Sequence, residues 1–180
     1  MRTREEIEIR YILMALSLLL LLGMASLPLH LFGAAPGPSV KIDAASAGPR
    51  QVEDATVQAI QRDYGAAWKS LAQAVDENRP ELLNANFVGS AKDQSVQLVS
   101  SQKENGLHQR YVDHGHSAQV TFYSLDGSSM LVHDTAQMEI QQLDGSNVVH
   151  SEQVTVHYLA LMTPAENSWK VRVLESVPSF

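Results

Sequence analysis

Two Asp-Gly dipeptides constrain the fold of this chain more than any other feature. They are Asp126-Gly127 and Asp144-Gly145, and Asp-Gly suits the positive φ angles of a two-residue hairpin turn. The segments around them alternate apolar and polar residues, which is the period of a β-strand. We therefore predict three consecutive antiparallel strands, with a fourth after a turn at residues 163–167. The apolar positions between the two dipeptides are Met130, Val132, Met138 and Ile140.

Before these strands the apolar period changes to that of a helix. Residues 52–77 carry large side chains at spacings of three and four, which predicts a helix with one buried stripe. Pro80 begins a short second helix, Gly89-Ser90 ends it, and a third helix runs from Asp93 to near Gly106. The predicted fold class is α+β: three helices packed on a curved four-stranded antiparallel sheet, a half-cone, preceded by one transmembrane helix.

Residues 11–32 contain no Asp, Glu, Lys or Arg. As a helix this segment would span roughly 33 Å, the thickness of a bilayer core. We predict a single-pass transmembrane anchor after a short N-terminal tail at residues 1–10. The Lys and Arg balance favours a cytoplasmic N-terminus, which places the rest of the chain outside the cytoplasm, in the periplasm if the protein is bacterial. The alternative is a signal peptide cleaved near Ala35, although the tail mixes acidic with basic residues.

The remaining chain divides into a linker and a domain. Residues 33–50 are rich in Ala, Gly, Pro and Ser, so we predict a flexible linker there and one soluble domain at residues 51–180. That domain carries eight Lys and Arg against sixteen Asp and Glu, which argues against binding to nucleic acid. The chain has no cysteine, which excludes disulfides and Cys-ligated zinc.

The chain resembles the nuclear transport factor 2-like superfamily over roughly residues 52–180. The resemblance rests on Tyr64-Gly65-Ala66-Ala67-Trp68, on the two Asp-Gly hairpins, and on the closing Asn167-Ser168-Trp169-Lys170-Val171. It implies a cone-shaped fold whose members include ketosteroid isomerases, polyketide cyclases, scytalone dehydratase and many noncatalytic domains. The order of anchor, linker and terminal domain is similar to that of extracytoplasmic assembly domains in secretion and transport systems.

Several residues are candidates for chemistry. A histidine beside a carboxylate can act as a general base, and His116, His133 and His157 are the candidates. His114 and His116 flank Gly115, but no further ligands are spaced to complete a metal site, so we expect neither a metal nor a cofactor. The pocket-lining candidates are Tyr64, Trp68, Met130 and Met138, all of which are also suited to filling a core.

From these features we expect a membrane-anchored noncatalytic domain that binds a protein partner or itself through the sheet. The first alternative is an enzyme or carrier for a small apolar molecule held in the cone. The second is a secreted binding protein released by signal cleavage. A histidine beside a carboxylate inside an open cavity would favour the enzyme.

Overall fold

The computed structural model describes residues 39–180. The predicted tail at residues 1–10, the predicted membrane segment at residues 11–32 and the first part of the predicted linker lie outside these residues. Within residues 39–180, no helix is both long enough and apolar enough to span a bilayer.

The helices come first, as predicted. Helix α1 is Asp54–Glu77, a 3₁₀ helix is Pro80–Ala85, and helix α2 is Gly89–Glu104. The chain leaves α1 at Asn78, whose φ of 52° is left-handed and is tolerated by asparagine better than by most residues. The buried stripe of α1 includes Ile60, Tyr64, Ala67, Trp68, Leu71, Ala74 and Val75.

The start of α2 differs from the prediction. Gly89 opens this helix instead of ending the previous one, because its φ of +56° lets the chain turn directly from extended Val88 into the helix. Two backbone hydrogen bonds to β6 hold the residues before this turn. Val88 N–H donates to the Val171 carbonyl over 2.9 Å, and Val171 N–H donates to the Asn86 carbonyl over 2.9 Å.

The four predicted antiparallel strands are present but are only part of the sheet. Strands β3 (Gln109–Tyr123), β4 (Met130–Asp144), β5 (Asn147–Ala165) and β6 (Ser168–Val177) pair in chain order. Both Asp-Gly dipeptides lie at hairpin turns, between β3 and β4 and between β4 and β5. Two short strands, β1 (Val40–Asp43) and β2 (Gly48–Pro49), pair in parallel with β3 and make the sheet six-stranded and mixed.

Residues 40–49 therefore correct the prediction of a flexible linker at residues 33–50. Val40 is buried in the core and Ile42 packs against it. Their backbone groups pair with His116 to Gln119 of β3, a strand far away in sequence. Composition alone could not reveal that these residues pair with β3, which is distant along the chain. Once β3 supplied the pairing, two apolar residues were enough for a strand to form.

A second difference from the predicted alternation lies in β3, where a regular strand would place Phe122 on the same face as Val120. The pairing of β3 with β4 shifts by one residue between these two positions. Such a β-bulge reverses the alternation of side chains beyond it. Val120 is consequently buried, Phe122 is exposed, and Tyr123 enters the core.

The helices pack on the sheet through polar as well as apolar contacts. Buried Asp63 on α1 accepts a 2.7 Å hydrogen bond from the Trp169 N–H at the start of β6. Gln102 on α2 donates to the Val75 carbonyl and to Asn78 Oδ1, both at 2.8 Å, and so joins the C-terminal ends of α1 and α2. The space between helices and sheet is the main core, and it also contains the polar cluster described next.

Candidate functional site

A buried histidine between two carboxylates is the most unusual feature of the core. His116 on β3 places Nδ1 2.7 Å from Asp134 Oδ2 and Nε2 2.9 Å from Asp113 Oδ2. The Tyr64 hydroxyl on α1 donates to the same Asp134 oxygen over 2.9 Å. Because both ring nitrogens face acceptors, an imidazolium with two N–H groups satisfies the geometry. We call these four residues the His116 cluster.

The electrostatics of the cluster agree with that geometry. Burial by itself lowers the pKa of His116, but the hydrogen bonds and negative charges of Asp113 and Asp134 outweigh it and raise the pKa to about 9. Burial and the Asp134 charge raise the pKa of Tyr64 well above its usual value, so its hydroxyl stays a donor. The cluster thus holds a charged histidine at neutral pH.

The cluster is closed to solvent on nearly every side. The side chains of His116 and Asp134 are 1% and 0% exposed, whereas Asp113 is 20% exposed. The Trp68 ring lies against His116 with centroids 4.5 Å apart, and the Tyr158 ring meets Trp68 edge-on at 5.0 Å. A substrate outside the domain therefore has no direct contact with the imidazole.

A groove of about 510 Å³ lies beyond this aromatic layer, between α1, α2 and the sheet. Tyr111 and Tyr158 line its sheet side, and Leu71 and Leu98 line its helix side. Burial raises the pKa of Tyr158 to about 12, so its hydroxyl is neutral at physiological pH. His116 is not among the residues that line this groove.

The three candidate histidines do not form one site. Only His116 of the three lies beside carboxylates. His133 and His157 are on the opposite face of the sheet, where the Phe180 ring stacks on His133 at 4.4 Å and meets His157 edge-on at 5.2 Å. His133 also faces away from its neighbour Asp134, as expected for adjacent residues of a strand.

The candidate pocket residues and His114 also lie in different parts of the domain and do not form one site. Tyr64 and Trp68 belong to the cluster and its cover, whereas Met130 fills the core. Met138 is buried and lines a groove on the sheet with His114. Within residues 39–180, no three histidine or acidic side chains are arranged to hold a metal ion. His114 points away from His116, because the bulge between Asp113 and Gly115 separates them.

The sequence prediction missed the role of Asp134, although a signal for it exists. Asp134 occupies an inward position in the alternation of β4, between Val132 and Ala136. A carboxylate at such a position must be hydrogen-bonded or paired, since burying an isolated charge is very unfavourable. That reasoning predicts an inward-facing cation on a neighbouring strand, and His116 fits it.

No protein-family model and no curated protein matches the sequence. Solved structures do resemble the fold. The intermembrane space region of chloroplast protein ARC6 has a TM-score of 0.60 and 19% identity, covering 73% of this chain and all of that one. A scytalone dehydratase candidate from Novosphingobium aromaticivorans has a TM-score of 0.43 and 14% identity, covering 68% of this chain and 85% of that one. An NTF-2 like protein from Shewanella oneidensis has a TM-score of 0.39 and 9% identity, covering 64% of this chain and 96% of that one.

These likenesses concern the fold alone. The likeness to the ARC6 region supports an α+β fold with helices packed on a mixed sheet. The membrane-anchored type stays a prediction.

Proposed function

We propose that this chain is a membrane-anchored, noncatalytic interaction protein. In this proposal residues 11–32 cross the membrane with the N-terminus in the cytoplasm, and residues 39–180 bind a protein partner or a second copy outside it. The observation that carries the proposal is a contrast between two parts of the domain. The interior is closed to solvent, whereas the β5 side of the hairpin of β4 and β5 is exposed. The groups suited to catalysis are buried behind Trp68, while every residue of β5 from Asn147 to Gln153 is exposed.

The exposed hairpin has the composition of a binding surface. Val148 and Val149 are 47% and 61% exposed at the start of β5, and adjacent exposed apolar side chains are typical of contact sites. An interaction domain also needs no cofactor. The ARC6 region of similar fold comes from an intermembrane space, a precedent for this architecture in a membrane-bounded compartment.

The first test is affinity purification of the full-length protein from its native membrane in mild detergent, with mass spectrometry of everything that copurifies. Reproducible protein partners, or a homo-oligomer, support the proposal. A single protein that carries a stoichiometric small molecule would contradict it and favour the alternative below.

The anchor is tested separately by cell fractionation. We expect the protein to stay in the membrane pellet after an alkaline wash, and a variant with Leu19→Arg and Leu20→Arg to be released, because central charges oppose insertion. Recovery of the unchanged chain in the soluble fraction would contradict the anchor. An intact mass that begins near Ala35 would indicate signal cleavage and a secreted protein.

The alternative function is a carrier or enzyme for a small apolar molecule, and the groove lined by Tyr111 and Tyr158 favours it. Leu98→Trp should fill this groove and remove any copurifying molecule. Leu125→Trp is the matched control, since Leu125 is 75% exposed and is not among the groove residues. Equal amounts of bound molecule in both variants would argue against the groove as its site.

A further inference from the structure

One edge of β5 is open over much of its length. Strand β6 pairs with β5 only from His157 to Ala165, whereas β4 pairs with β5 from Asn147 onwards. Within residues 39–180, the β6 side of residues 147–156 thus carries no strand. The chain leaves this edge at Val177, and Phe180 turns over the sheet to stack on His133.

The open edge has only part of the protection that usually prevents strands from associating. A bulge at Val149 interrupts its pairing with β4, and Glu152 carries a charge. Its sequence is NVVHSEQVTV, with no proline, lysine or arginine. Natural sheets commonly protect an edge with a proline, a lysine or a very short strand. From His150 to Val156 the strand is regular and has neither proline nor lysine, and an open edge of this kind can pair with another chain.

We propose that a second copy of this chain pairs with the open edge of β5, antiparallel and about a two-fold axis at Ser151. This inference rests on the proposed interaction function and names its partner. The axis puts His150 of each copy directly opposite Glu152 of the other, twice, on one face of the joined sheet.

The charge pattern selects this register over its neighbours. A two-fold axis perpendicular to the sheet must pass beside one residue of the strand, which then faces its own copy. An axis at Glu152 would put two carboxylates opposite each other, and an axis at His150 would put two imidazoles opposite each other. Of these three axes, only the one at Ser151 places the imidazole of His150 opposite the carboxylate of Glu152 on both sides of the axis.

Cysteine cross-linking of the full-length protein in mild detergent tests the register. The chain contains no cysteine, so Ser151→Cys adds a single thiol. Across the axis, opposite Cα atoms are about 4.5–5.5 Å apart, within the range for a disulfide. Thr155→Cys is the control, because it lies on the same edge and the same face, but its thiols would be about 27 Å apart. We expect mild oxidation to give a disulfide-linked dimer with S151C and none with T155C.

A carboxylate placed at residue 150 tests the two contacts between His150 and Glu152. His150→Glu should weaken dimerisation about tenfold, measured by analytical ultracentrifugation, because it places like charges opposite each other twice. The double variant His150→Glu/Glu152→Lys restores unlike pairs and should recover the affinity. Equal effects of the single and the double variant would contradict the register.

The failure of this inference is distinguishable from that of the proposed function. If S151C gives no self-linked dimer, the edge does not pair with a second copy. Protein partners that still copurify would then leave the interaction function standing, as would a cross-link from the S151C thiol to a different protein. A monomer with neither partner nor cross-link would overturn both proposals.

Discussion

The stability of the domain should depend on pH through His116, and the sign follows from the structure. The pKa of His116 is raised from 6.5 to about 9 in the folded state. A group whose pKa is higher when folded stabilises the protein fully below its unfolded pKa and loses that contribution as the pH rises through the folded pKa. Between pH 6.5 and 9 the free energy of unfolding should therefore fall by about 1.4 kcal/mol per pH unit, about 3 kcal/mol in all.

Urea unfolding of the full chain in mild detergent measures this dependence. Both tryptophans, Trp68 and Trp169, lie in the folded domain, so fluorescence reports its unfolding. We compare the pH slope of the unchanged protein with those of His116→Gln and His150→Gln. H116Q should be less stable at pH 6.5 and should lose the slope, whereas H150Q, at an exposed site on β5, should keep it. A slope that persists in H116Q would refute the assignment to this residue.

Four further variants address the His116 cluster and the two hairpin turns. Asp134→Asn should lower the free energy of unfolding by about 3–5 kcal/mol and flatten the pH slope, because it leaves a buried charge poorly paired; urea unfolding at several pH values measures both effects. Tyr64→Phe removes a donor to Asp134 and should cost about 1.5–3 kcal/mol in the same assay at neutral pH. Gly127→Ala should cost more than Gly145→Ala in thermal unfolding. Both glycines have positive φ, but the added Cβ at residue 127 lies 2.9 Å from Arg50 Nη1, whereas nothing lies within 4 Å at residue 145.

Local patterns predicted most of the domain. The stripe of α1 and the two hairpins at the Asp-Gly dipeptides depend on residues close in sequence, and both are confirmed. The strand alternation is confirmed in β4 but is broken in β3 by the bulge after Val120. The role of Gly89 was predicted wrongly although it is a local feature, whereas the wrong prediction for residues 40–49 concerns a distant contact. β1 exists because β3 supplies its hydrogen bonds, and neither the composition of residues 33–50 nor their periodicity contains that information.

The candidate site was predicted only as separate residues, because its contacts also join residues that are distant in the chain. The sequence analysis named Tyr64, Trp68 and His116. It could not show that the carboxylate of Asp134 binds both Tyr64 and His116. In the chain, Asp134 adjoins His133. In the sheet, Asp134 instead shares the inward face with His116 of the adjacent strand, across a pairing that sequence spacing does not reveal.

The His116 cluster also bears on where the open edge lies. Asp134 is held by His116 from β3 and by Tyr64 from α1. A slip of β4 by one residue would move this carboxylate to the outer face and leave the buried imidazole without its partner, so the cluster strongly favours one register. Asp134 is paired in turn with Tyr158 of β5, which positions β5 relative to β4. The buried charges thus help to fix β4 against β3, and β4 in turn pairs with the part of β5, including Ser151, that β6 leaves open. In this interpretation the His116 cluster contributes to assembly by stabilising the sheet whose open edge pairs with the second copy. This role requires no contact between the cluster and a ligand.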